Sequence, residues 1–226
     1  MKQKIYNMHI QGVITGDIVD STKVESNKRT ELLLALKETI ADIRQHIGVV
    51  EFEIYRGDSF QIIIPDSVNA LRIAILIRLG LQRKTPNENI RSQKWDARIS
   101  LGIGDISFSA SSILVSDGEA FRNSGRAFDK LGRNDFLIVN TPWIEINNEL
   151  EVSTKFADIL INSWSYLQIE VIYHYLLRKM TQKELAKVLN LSPQTLNKRI
   201  VNAKVEAIEK YIARFEEIIK EKDGVE

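Results

Sequence analysis

HIQGVITGDIV, residues His9 to Val19, is an apolar, β-branched run with turn residues on either side, and it reads as a buried strand. The chain alternates outward from it. Asn27 to Ile47 places Leu33, Leu36, Ile40, Ile43 and Ile47 at steps of three and four, an amphipathic helix that ends before Gly48. Val49–Tyr55 and Ser59–Ile64 read as two strands turning at Arg56-Gly57-Asp58, and Pro65-Asp66-Ser67 opens a second helix running to about Arg83. Asp96 to Ile106 alternates Ala97, Ile99, Leu101 and Ile103, a fourth strand. Glu119–Leu131 then reads as a helix and Phe136–Val139 as a last short strand. The order β-α-β-β-α-β is the split pattern of ferredoxin-like folds, so the expected class is α+β. In that arrangement the first strand and the hairpin are central neighbours, with the helices on one face.

Two Gly-Asp pairs fall where this topology makes neighbours, Gly16-Asp17 closing the first strand and Gly57-Asp58 in the hairpin turn. Their carboxylates are expected to converge at one sheet edge, with Asp20 nearby. Converging carboxylates repel unless a proton or cation intervenes, and hard oxygen donors suit Mg²⁺ or Mn²⁺ shared with phosphates. Gly-Asp is also ordinary turn chemistry, and spacing alone leaves both readings open.

Composition narrows the field. The 226 residues hold no cysteine, which excludes disulfides, thiolate metal sites and a thiol nucleophile; three scattered histidines argue against a histidine metal site. Thirty-one basic and 30 acidic residues give a net charge of +1. The charge is uneven: nine Lys/Arg against four Glu between Ser163 and Arg214, then an acidic end from Phe215. A nucleic-acid module, if present, belongs in that basic segment. The N-terminus lacks a signal-peptide core, and the most apolar stretch, Ala70–Leu81, is broken by Arg72 and Arg78 and too short for a bilayer. A cytoplasmic protein without membrane contact is expected.

Thr-Gly-Asp-Ile-Val-Asp-Ser-Thr (15–22) resembles the first metal motif of class III nucleotidyl cyclases, and Arg-Gly-Asp-Ser-Phe-Gln (56–61) their second. Gly-Ile-Gly-Asp-Ile (102–106) is similar to a later strand of that family. Glu-Ala-Phe-Arg-Asn-Ser-Gly-Arg (119–126) is similar to its helix with a transition-state arginine. The resemblance covers about residues 9–140. It implies a nucleotidyl-cyclase-like domain with Asp17, Ile18 and Asp58 at the metal and Arg126 on the phosphates. Three departures stand out. Asp20 replaces the motif's glycine, Ile54 its base-reading lysine, and Arg122 its asparagine, with Asn123 one place off.

Beyond the expected connector, 141–162, the sequence changes character. Thr181-Gln-Lys-Glu184 is a capping box, and Ser192-Pro193 is an N-cap with proline at the first helical position. Leu185, Ala186, Leu189, Leu196, Ile200 and Ala203 keep one apolar face, which gives a helix-turn-helix. Its second helix presents Gln194, Thr195, Lys198, Arg199 and Asn202, side chains suited to base edges and phosphates of duplex DNA. A plain helical hairpin is the alternative. Residues 163–205 resemble sigma-factor region 4, and the whole combination resembles the SatD-like family of regulators. The apolar stripe Ile208, Tyr211, Ile212, Phe215, Ile218 and Ile219 suits a homodimer seam or packing on the chain's own body, and its length favours the seam. Trp95, Trp143 and Trp164, like His9 and His174, read as packing residues.

The resulting expectation has an all-α helix-turn-helix domain (163–226) after a cyclase-like domain (1–140). It is a DNA-binding transcriptional regulator whose first domain senses a nucleotide or dimerises. The competing expectation is a working Mg²⁺- or Mn²⁺-dependent nucleotidyl cyclase or nucleotidyltransferase.

Overall fold

A computed structural model describes residues 10–21, 24, 26–55, 57–86, 94–108, 112–178 and 180–224; His9, Thr22 and Arg56 fall outside them. Five strands, β1 (Gln11–Ile18), β2 (Glu51–Tyr55), β3 (Ser59–Ile64), β4 (Ala97–Gly104) and β5 (Leu137–Asn140), form one sheet in the order β2-β3-β1-β4-β5. All neighbours are antiparallel except β4 and β5, which are parallel. The helices are α1 (Ser26–His46), α2 (Ala70–Arg83), α3 (Glu119–Phe128), α4 (Ile144–Ser163), α5 (Tyr166–Leu177), α6 (Gln182–Val188), α7 (Pro193–Asn202) and α8 (Val205–Asp223). The protein is α+β, with the first six elements in the expected split order.

Alternation along β1 assigns the two faces. Gly12, Ile14, Gly16 and Ile18 point toward α1 and α2, where a Cβ on Gly12 would meet Ala70. Val13, Thr15 and Asp17 point the other way, toward α3. The helices therefore do not share one face, because α3, which follows β4, covers the second. Its close approach depends on Gly102, where a Cβ would stand 2.2 Å from the Ala120 carbonyl oxygen. Thr15 and Ser124 join their hydroxyls across that contact, Ser100 Oγ donates to the Ser124 carbonyl, and Asn123 Nδ2 donates to the Ile103 carbonyl. Only β3 of the hairpin is central. β2 is an edge strand.

The C-terminal helices do not stand apart as a separate all-α domain. One continuous apolar cluster runs from Ile14 and Phe60 through α2 to Ile172, Leu196 and Phe215. The stretch expected as a connector is mostly α4, whose Ile146, Leu150, Ala157 and Ile161 are buried. The stripe expected as a dimer seam is already covered: Ile208, Ile212, Phe215, Ile218 and Ile219 are buried, and the hydroxyls of Tyr211 and Thr154 of α4 share a hydrogen bond. Each such apolar side chain contributes about 1.5–3 kcal/mol on burial, so this face is spent within the chain. Polar pairs fix the seam between α2 and α5. Arg83 binds Glu170 and stacks on Tyr173, whose hydroxyl donates to Asp42. The His174 hydrogen bond, with Arg83, brings the Glu170 carboxyl down to about 2.

At the centre of these contacts lies Arg78, fully buried in α2. Its guanidinium donates to both carboxylate oxygens of Asp96 at 3.0 and 2.8 Å, to Asp158 at 2.7 Å and to Asn162 at 2.6 Å. It also lies over the Phe136 ring. α2, the start of β4 and α4 are thereby tied to one cation. Among the described residues no helix is long and apolar enough to cross a membrane.

Candidate functional site

Asp17 ends β1 on the α3 face, opposite Ser59 of β3 and Arg98 of β4. Ser59 Oγ donates to its Oδ1 at 3.0 Å. Asp58 precedes Ser59, and its backbone carbonyl accepts from Ile18 N at 3.1 Å while its Oδ2 accepts from Ser21 Oγ at 2.5 Å. The hairpin is thus stitched to the end of β1, which brings both half-buried carboxylates to one corner of the sheet. Burial raises the proton affinity of Asp17; the negative charge of Asp58 adds to this, while the Ser59 hydrogen bond and the Arg98 charge oppose it. Asp20 is exposed beside the corner with φ of +53°, a left-handed conformation. An aspartate adopts that conformation more readily than most side chains, so the turn at the motif's glycine position is kept without the glycine.

Three arginines lie near the pair. Arg98 is held by the Leu131 and Gly132 carbonyls at 2.8 and 3.1 Å and lies against the Phe128 ring. Arg29 of α1 brings Nη2 to 3.1 Å from where a Cβ on Gly57 would stand. Arg126 is exposed in the last turn of α3; since Gly104 faces Ala120 and Arg98 faces Phe128, that turn lies toward the Asp17 end of the sheet. Among the described residues, Arg126 contacts neither carboxylate. Arg122 pairs with Asp117, and the Asn123 amide is committed to β4. Neither is aimed at the corner. Ile54 lies half-buried on β2, opposite Phe60.

Sequence reasoning missed Arg29 and Arg98. The signal for Arg98 was present: Ala97, Ile99 and Leu101 facing the core put Arg98 and Ser100 on the opposite face. Arg29 carried none, because only the helix's approach to the hairpin brings it there.

The donor set fits a hard divalent cation in part. Two carboxylates whose repulsion a cation would relieve are present, but no group of three or more His, Asp or Glu is arranged to hold a metal among the described residues. The remaining donors would be water and a ligand's own oxygens. Ile18 buries its side chain in the core, so its carbonyl is the part of it that resemblance assigns to a metal.

A second candidate surface is α6–α7. Both expected caps form: Thr181 and Glu184 bond reciprocally, and Ser192 Oγ accepts from Thr195 N at 3.1 Å ahead of Pro193. Asn190 makes the turn between them at φ of +52°. Leu185, Ala186, Leu196 and Ile200 are buried. Gln194, Thr195, Lys198 and Asn202 are exposed and Arg199 is half-buried, although the Thr195 hydroxyl is engaged with Ser192.

A family model described as the SatD family matches residues 12–215. No curated protein matches the sequence. Among solved structures, the active GGEEF domain of a diguanylate cyclase from Vibrio cholerae is 17% identical, covering 59% of this chain and 83% of its own, with a TM-score of 0.40. An adenylate/guanylate cyclase/hydrolase from Silicibacter pomeroyi is 21% identical over 53% of this chain and 69% of its own, TM-score 0.43. The guanylyl cyclase Cya2 is 13% identical over 57% and 74%, TM-score 0.42. At that level these likenesses say nothing of this chain's chemistry. Neither the family model nor these structures supports the resemblance of 163–205 to sigma-factor region 4.

Proposed function

The chain belongs to the SatD family, and we propose that the corner formed by Asp17 and Asp58 binds a divalent cation together with the phosphates of a nucleotide, as a divergent cyclase-type site. The observation that carries this reading is the convergence itself. Two half-buried carboxylates are stitched together by Ile18, Ser21 and Ser59, and the proton affinity of one is raised by burial and by its neighbour. Mg²⁺ or Mn²⁺, when bound, supplies neutralisation of phosphate charge. The chain's own part is to aim Asp17 and Asp58 at the cation while Arg29 and Arg126 face phosphate oxygens. Ile54 offers no hydrogen bond to a base, so recognition rests on phosphate. Mn²⁺ should raise the melting temperature, and more so with ATP or GTP to similar extents, while Asp58→Asn should remove the shift. Cyclic product is expected to form slowly or not at all. A melting temperature indifferent to metal would refute the site and leave Gly-Asp as structural chemistry; rapid cyclisation would establish a working cyclase.

A second reading, duplex DNA binding by α6–α7, is favoured by the double capping and by the exposure of Gln194, Lys198 and Asn202 on one helix. Lys198→Ala with Arg199→Ala should weaken binding and lower the slope of log affinity on log salt by roughly two, since each lost phosphate contact removes about one released counterion. An unchanged slope in an electrophoretic or anisotropy titration excludes these side chains from the interface.

A further inference from the structure

β5 is the outermost strand beside β4, and its free edge is recessed between two helices. The C-terminal end of α3 flanks it on one face. α4, joined to α2 through Asp158 and Arg78, flanks it on the other. Between them lies a slot of about 750 Å³. Ile99 N donates to the Phe136 carbonyl, so in this parallel ladder Ile138 and Asn140 are the residues that bond to β4. Leu137 and Val139 direct their N–H and C=O groups outward, onto the floor of the slot, and no described residue bonds them.

The walls are mixed. Ala127 and Leu131 stand on the α3 side, with Val152 and Phe156 on the α4 side, the last two 60% and 70% exposed, and Lys130, Glu151 and the Lys155–Asp135 ion pair lie among them. Exposed apolar area beside main-chain donors and acceptors that no described residue bonds is what a binding site presents: area to bury, and a few polar groups that fix orientation. The outward N–H and C=O groups of Leu137 and Val139 lie in the plane of the sheet, so a ligand that bonds both meets the strand edge-on. The floor alternates donor and acceptor along a single line.

We propose that this slot binds a planar heteroaromatic ligand whose edge carries a hydrogen-bond donor beside an acceptor, paired with the main chain of Leu137 and Val139. It uses neither carboxylate of the corner and does not depend on a metal, although Leu131, which lines it, also holds Arg98 through its carbonyl. The test is a titration of the ¹⁵N-labelled full chain with 7-azaindole, which has a donor beside an acceptor, and with indole, which has the donor alone. The amides of Leu137 and Val139 should shift, 7-azaindole should bind about tenfold more tightly than indole, and Val152→Trp, which fills the slot, should abolish both effects. Val152 is exposed, and Val152→Lys gives the same reading if the tryptophan variant folds poorly. Three results would overturn the proposal. The first is no shift at millimolar 7-azaindole. The second is equal affinity for the two probes. The third is a protein dimer that Val152→Trp or Val152→Lys dissociates, which would assign the slot to a second copy of the chain.

Discussion

Replacing Arg78 with methionine is expected to destabilise the fold by about 3–5 kcal/mol, the usual cost of removing one partner from a buried ionic cluster. Arg78 is completely buried and satisfies Asp96, Asp158 and Asn162 at once. Burial by itself would make its guanidinium easier to deprotonate. The two aspartates reverse that and raise its proton affinity, so the buried guanidinium keeps its charge. In Arg78→Met the methionine fills most of the volume, and the loss comes from leaving two carboxylates in the interior without a cation. Asp96 also accepts Val19 N through its carbonyl, and Asp158 accepts Phe136 N, so the ends of β1 and β5 lose their anchors together. For a chain of this length the melting temperature should fall by roughly 6–20 °C. Urea denaturation of the triple variant Arg78→Met, Asp96→Asn, Asp158→Asn separates the causes. If uncompensated charge is responsible, the triple variant recovers part of the loss. If it is no more stable than the single variant, packing around the guanidinium is responsible instead.

Arg78 also marks where the sequence stopped being legible. In a stretch as apolar as Ala70–Leu81 an arginine looks like an interruption, and nothing local says that its partners lie 18 and 80 residues further on. Strand periods, helix caps and the Gly57-Asp58 turn were readable because short-range geometry decides them. The thirteen described strands and helices fall close to where period and capping put them, with two exceptions: α4 fills the connector expected to be only partly helical, and the C-terminal stripe, expected to continue the helix of α7, forms a separate α8 after Lys204 at φ of +55°. Facing and burial were not readable in the same way. The stripe of α8 has the same period whether it covers a second chain or its own α4 and α2; the presence of another apolar face within reach decided it. Gly16 is similar. The sequence places it at the close of the first strand without saying why a glycine is needed there, and in β1 a Cβ would stand 2.2 Å from the Phe60 ring. Its reason is the partner strand's side chain, which spacing does not reveal. The Asp17–Asp58 pairing was legible because it follows from strand order alone, whereas Arg29 and Arg98 entered through tertiary approach.

Neutralising Asp17 should make the metal-free protein more stable and the metal-bound protein less so. The folded state raises the proton affinity of this carboxyl through burial and through Asp58, so folding favours its protonated form. The sign follows: its contribution is most favourable below the unfolded carboxyl value near 3.8 and is lost as pH rises through the higher folded value, above which its charge opposes folding. Asp17→Asn keeps an oxygen to accept from Ser59 Oγ and removes the repulsion with Asp58. Its melting temperature without metal should therefore exceed that of the parent at pH 7, and the difference should shrink as pH is lowered. Mn²⁺ should reverse the order. At a hundredfold excess over the dissociation constant, a ligand bound only to the folded state adds about 2.7 kcal/mol, or roughly 5–11 °C for a chain of this size. The parent gains that increment. Asp17→Asn, with one anionic donor left, does not. Crossing melting curves are what a cation site built on repulsion requires, because the same charge that weakens the empty corner is what holds the ion. If Asp17→Asn proves less stable than the parent without metal, Asp17 is instead a structural acceptor for Ser59, and the corner stores no repulsion for a cation to relieve.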